Sequence, residues 1–107
     1  MTVKWSPHAK QLLREIVIGI ADALYPEDAI QWEQRLRKAT AGLADFPFSC
    51  PNVPIECFRD VPPNIKRLRQ LICRPYRIVC EVVGEECRIL SIRHGRMLMT
   101  ADDTHWN

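Results

Sequence analysis

Arginine dominates the charge between residues 59 and 96. The segment holds nine cations (Arg59, Lys66, Arg67, Arg69, Arg74, Arg77, Arg88, Arg93 and Arg96) against four acids, a balance of +5. Residues 1–58 balance at −1, and Asp102 and Asp103 add −2 after Met97. Eight of the nine cations are arginine, whose planar fork suits carboxylate and phosphate oxygens better than the point charge of lysine. The formal net charge of +2 therefore conceals a localised basic region. Such a region implies an acidic partner: RNA, DNA or an acidic protein segment.

The other candidate reactive groups are five cysteines, Cys50, Cys57, Cys73, Cys80 and Cys87. None forms a C-x-x-C pair, and their spacings match no common zinc pattern. They read as reduced thiols serving as small apolar residues, with no metal and no cofactor. At 107 residues, 47% apolar and 26% charged, the chain reads as one ordinary globular domain over residues 1–107. The longest apolar stretch, Ile16 to Leu24, contains Gly19 and Asp22 and is too short to span a bilayer. No export leader is visible, so a cytoplasmic location and no membrane partner are expected.

The elements that position the arginines are legible from spacing. Thr2 to Trp5 is short and β-prone, and Ser6-Pro7 supplies a helix cap with proline in the first turn. Ala9, Leu12, Leu13, Ile16, Val17, Ile20, Ala21 and Leu24 then follow the i, i+3, i+4, i+7 template. Pro26, Glu27 and Asp28 open a second helix with the stripe Ala29, Trp32, Leu36, Ala39, Leu43 and Phe46. The two helices form an antiparallel hairpin over about residues 6–46. Five prolines within residues 47–64 predict a long connection without regular structure.

Residues 66–94 read as a three-stranded β-meander: Lys66 to Ile72, Tyr76 to Val82 and Cys87 to Arg93. Three-residue loops at Cys73-Arg74-Pro75 and Gly84-Glu85-Glu86 predict an apolar face of Leu68, Gln70, Ile72, Tyr76, Ile78, Cys80, Val82, Leu90 and Ile92. The opposite face then carries Arg67, Arg69, Leu71, Arg77, Val79, Glu81, Ser91 and Arg93. A one-residue slip would drive arginines into the core, which favours this register. The expected fold is α+β, with the helical hairpin on the apolar face of an antiparallel sheet and the arginine face open. His8 reads as a surface residue and Trp5 and Trp32 as core or rim. Trp106 is either a partner anchor or part of a free end, in a 97–107 tail of undetermined path.

The order strand, helical hairpin, loop and meander resembles the RelE/ParE superfamily of bacterial type II toxins over about residues 2–96. The carrying motifs are Trp5-Ser6-Pro7-x-Ala9, Leu68-Arg69-Gln70-Leu71, Tyr76-Arg77-Ile78-Val79-Cys80-Glu81-Val82 and Ile89-Leu90-Ser91-Ile92-Arg93-His94-Gly95-Arg96. The resemblance implies a toxin that inhibits growth and is neutralised by a cognate antitoxin. Its RelE-like members cut mRNA on the ribosome, and its ParE-like members poison DNA gyrase. If the chain is a ribonuclease, Arg77 and Arg96 fall where that branch binds phosphate, and His94 is the histidine placed as acid or base. Otherwise His94 is a strand-end residue hydrogen-bonded to backbone. Arg67, Arg69, Arg74 and Arg93 are candidate contacts for target or antitoxin.

The ParE-like, plasmid-stabilisation side of the superfamily is favoured. Lys66 is the only lysine after Lys38, Met97 to Asp103 holds neither tyrosine nor histidine, and His94-Gly95-Arg96 closes the last strand.

Overall fold

A computed structural model describes all 107 residues. The expected helices form where their caps lie. Strand β1 (Thr2–Trp5) leads into α1 (Pro7–Ala23), where the Ser6 hydroxyl accepts from the Ala9 amide at 3.0 Å and donates to the Leu90 carbonyl at 3.2 Å. One serine thus caps the helix and ties it to the sheet. Only Leu24 and Tyr25 separate α1 from α2 (Pro26–Ala41), whose first turn carries Glu27 and Asp28 at the positive end of the helix dipole. A single 3₁₀ turn, Gly42–Ala44, follows.

The meander consists of β2 (Leu68–Cys73), β3 (Tyr76–Val83) and β4 (Glu86–His94), in antiparallel pairs. Strand β1 joins β4 in parallel, so the sheet is mixed, in the order β1-β4-β3-β2. The fold is α+β, as expected. The helical hairpin covers one face, where Leu12, Leu13, Leu36, Ile78, Cys80, Cys87, Ile89 and Ile92 belong to the main core.

The expected register is corrected in two places. Both hairpin loops have two residues, Arg74-Pro75 and Gly84-Glu85, because Cys73 pairs with Tyr76 and Val83 with Glu86. Gly84 takes φ +58° in the second, a conformation glycine adopts without a Cβ penalty. The shorter first loop rotates β2 by one residue relative to β3. Leu71, Cys73 and Arg69 consequently share the helix-side face with Ile78 and Cys80, while Leu68, Gln70 and Ile72 lie on the other with Arg77 and Val79. A bulge at Val79/Cys80 faces Ser91 and Ile89 and sets Leu90 on the second face too, away from Ile92.

The slip does not bury an unpaired charge at Arg69. Its guanidinium donates to the Cys50 carbonyl at 2.7 Å and the Phe48 carbonyl at 3.4 Å, and lies 5.1 Å from the Phe48 ring centre. An edge arginine beside a loop finds acceptors that a strand-only reading omits.

The second face is not an open arginine surface either. Val53, Phe58, Leu68, Val79, Leu90 and Met99 form a second buried cluster on it. The proline-rich connection reaches this face by bridging Asn52 to Arg69 and Phe58 to Met99, and it contains the 3₁₀ turns Ile55–Cys57 and Ile65–Arg67. Lys66 and Arg67 therefore precede the strand that they were expected to open. No helix is long and apolar enough to cross a membrane. The five cysteines are unpaired. The hydrogen bond with Cys87, together with burial, pushes the Cys80 thiol up, which keeps it protonated.

Candidate functional site

The seven residues singled out in the sequence divide into three groups. Arg74, Arg77, His94 and Arg96 meet at one end of the sheet. Arg93 turns inward beneath the tail. Arg67 and Arg69 lie at the opposite end of β2.

The first group lines an open cleft of about 480 Å³ together with Gln70, Ile72, Pro75, Tyr76 and Gly95. It forms because the β2–β3 turn and the segment after β4 come together: the Gly95 amide donates to the Pro75 carbonyl at 2.8 Å. A Cβ at Gly95 would stand 3.3 Å from that carbonyl oxygen, so a small residue suits the approach. Arg77 Nε donates to Gln70 Oε1 at 2.8 Å, and Arg77 Nη1 lies 3.4 Å from the Gly95 carbonyl. His94 Nδ1 accepts from the Arg96 amide at 3.2 Å, which leaves Nε2 as the protonated nitrogen of the neutral ring. The His94 ring meets Tyr76 edge-on, centroids 6.2 Å apart, and Tyr76 meets Trp32 edge-on at 5.4 Å. Burial pushes the Tyr76 hydroxyl up, so it stays a neutral phenol.

No carboxylate lines this cleft, and Arg74, Arg77 and Arg96 make no ion pair. Elsewhere in the basic half three arginines are neutralised, while Arg59 and Arg69 make no ion pair. Arg67 lies 3.3 Å from Glu81, and Arg88 lies 2.9 Å from Glu86. Arg93 Nε lies 3.2 and 3.3 Å from the two oxygens of Asp103.

Asp103 is fully buried, and neither its role nor the partners that surround it were legible from local spacing. Its Oδ1 accepts from the Ser91 hydroxyl at 2.7 Å and lies 2.8 Å from His8 Nε2, and its Oδ2 accepts from the Thr100 amide at 2.9 Å. Burial alone would disfavour its charge. The bonds from Ser91, Thr100 and His8, with Arg93 beside them, outweigh that and hold the carboxyl below its ordinary range. His8 is therefore not a plain surface residue. The tail is also docked: Met99 is buried, Asn64 Nδ2 donates to the Thr104 carbonyl at 2.8 Å, and Arg88 lies 5.4 Å from the Trp106 ring centre. The pairing partners sit up to 95 positions apart, and no local pattern marks them. Gln70 was also missed as Arg77's partner, although its place two residues before Ile72 on β2 puts it on Arg77's face once the register is known.

Among solved structures, the chain is similar to one from the chromosomal ParDE toxin–antitoxin system of P. aeruginosa. That likeness has a TM-score of 0.71 at 22% identity and covers 88% of this chain and 95% of that one, a likeness of fold. Comparison with curated protein sequences yields no match. The family model of the ParE toxin of type II toxin-antitoxin systems, parDE, matches residues 3–99. That span takes in the helical hairpin, the sheet except for Thr2 and every arginine of the cleft, and the chain belongs to the ParE toxin family.

Proposed function

We propose that the protein is a growth-inhibiting toxin that acts on DNA gyrase and that a cognate antitoxin neutralises it by covering the cationic cleft. The observation that carries this reading is the family match over residues 3–99, which includes Arg74, Arg77, His94 and Arg96. The cleft supports a binding role: its three arginines lack internal carboxylates, so their charge is available to an acidic partner. A separate groove between β1 and the helical hairpin supports antitoxin docking. Trp5, Leu13, Val17 and Ile18 supply an apolar floor there, rimmed by Lys10, Arg14 and Arg37 against Glu33. An acidic amphipathic segment complements that rim in charge and that floor in polarity.

A ribosome-dependent ribonuclease is the second reading, and one observation favours it: Arg77, His94 and Arg96 share one cleft. Cleavage of RNA through its 2′-hydroxyl needs both a base and an acid at the reacting phosphate. His94 supplies the one imidazole lining the cleft, while burial holds Tyr76 as a phenol.

Induction in a bacterial host without antitoxin tests both readings. Within minutes, the gyrase reading expects an SOS response, filamentation and intact mRNA. Codon-phased cleavage of translated transcripts with intact DNA would replace it with the ribonuclease reading and give Arg77, Arg96 and His94 roles in chemistry.

A further inference from the structure

Arg74, Arg77 and Arg96 are contributed by the β2–β3 turn, the start of β3 and the turn after β4, so their charges are spread along one end of the sheet. Arg77 is also held in place. Gln70 and the Gly95 carbonyl occupy Nε and Nη1, which leaves the Nη2 donors unused. His94 offers an Nε2 donor beside them, and Ile72, at 45% exposed, adds an apolar wall with Pro75 and Tyr76.

An isolated carboxylate would satisfy one of these guanidinium groups. A DNA strand, with one charge per about 3.4 Å of helix axis, can engage successive ones while its deoxyribose packs on the apolar wall. We infer that the cleft is a receptor for the phosphodiester backbone of duplex DNA, with Arg74, Arg77 and Arg96 as phosphate contacts and Gln70 as the residue that positions Arg77. This rests on the gyrase reading and adds to it that the toxin touches the DNA of the gyrase–DNA complex as well as the enzyme.

The test measures binding of the full-length protein to a short fluorescein-labelled DNA duplex across a salt series. Three phosphate contacts predict a slope of log affinity against log salt of about −2.7. Arg74→Ala, Arg77→Ala and Arg96→Ala each reduce its magnitude by about 0.9, with a loss of roughly tenfold in affinity. Gln70→Glu, nearly isosteric, sets a carboxylate against Arg77 and reduces the slope by the same amount, which loss of packing alone would not do. Lys38→Ala, on exposed α2 surface, leaves the slope unchanged. A slope unmoved by all three arginine variants overturns the inference, as does tighter binding of single-stranded RNA or of a polyglutamate peptide than of the duplex.

Accumulation of gyrase–DNA cleavage complexes, scored in parallel, separates the two claims. Trapping by wild type with a slope that ignores the arginines removes the phosphate site and leaves the gyrase reading. An arginine-dependent slope without trapping removes the gyrase reading and leaves the site.

Discussion

Arg77 and Arg93 stand opposite each other on β3 and β4, yet their guanidinium groups end in opposite circumstances. Arg93 meets the buried carboxylate of Asp103, which also gathers His8 and Ser91. Arg77 meets a neutral amide and a carbonyl and faces an open cleft. Two like charges directly across a strand pair repel. Asp103 removes that repulsion by neutralising one of them, and it comes from the tail rather than from the sheet. One region thus spends its arginine on holding the chain together, and the other keeps its arginines for something outside. Charge count alone would treat the two alike; the position of the carboxylates distinguishes them.

Removing the acid from the sealed region gives the largest expected effect. Asp103→Ala leaves Arg93, His8 and Ser91 without their shared acceptor and should cost about 4 kcal/mol, read from the urea midpoint. A cost below about 1 kcal/mol would erase the distinction between the regions. Met99→Ala opens a cavity in the second core and should cost about 3 kcal/mol, which checks that the tail is part of the folded structure. If the urea midpoint does not move, the tail is not docked as described.

Acid titration sharpens the same contrast. The folded-state carboxyl of Asp103 lies below its ordinary value, so its contribution to stability is complete above the normal aspartate range near pH 3.9. That contribution fades as pH falls through the depressed folded value. Asp103→Asn should therefore flatten the acid limb of stability against pH, whereas His94→Ala should leave that limb alone. Arg77→Ala has the smallest expected effect on stability, within about 0.5 kcal/mol, because no carboxylate depends on it. A much larger loss would mean that the cleft is a structural device like its neighbour.

The sequence made the helices and the meander legible because their signals act over a few residues. Ser6-Pro7 caps α1 within one turn, and Pro26-Glu27-Asp28 does the same for α2. The register of β2 was not legible, for a physical reason. Leu68 and Leu71 both need cover, and the sheet is buried on both faces, so apolar alternation did not select one of them. The assumption that arginines must face solvent then chose wrongly, because Arg69 is satisfied by loop carbonyls at Phe48 and Cys50. The convergence of Arg77, His94 and Arg96 was legible through the family resemblance. The fate of Arg93 was not, since Asp103 and His8 reach it from opposite ends of the chain.

The central claim is that the cleft arginines, unlike the paired ones, carry the toxin's action. The most direct test is growth after induction of two single variants, each first shown to be folded by circular dichroism and thermal unfolding. Arg77→Ala removes an unneutralised cleft charge, and Arg88→Ala removes one already paired with Glu86. The account predicts that Arg77→Ala relieves growth arrest and that Arg88→Ala arrests growth like the wild type. Full arrest by a folded Arg77→Ala protein would contradict it.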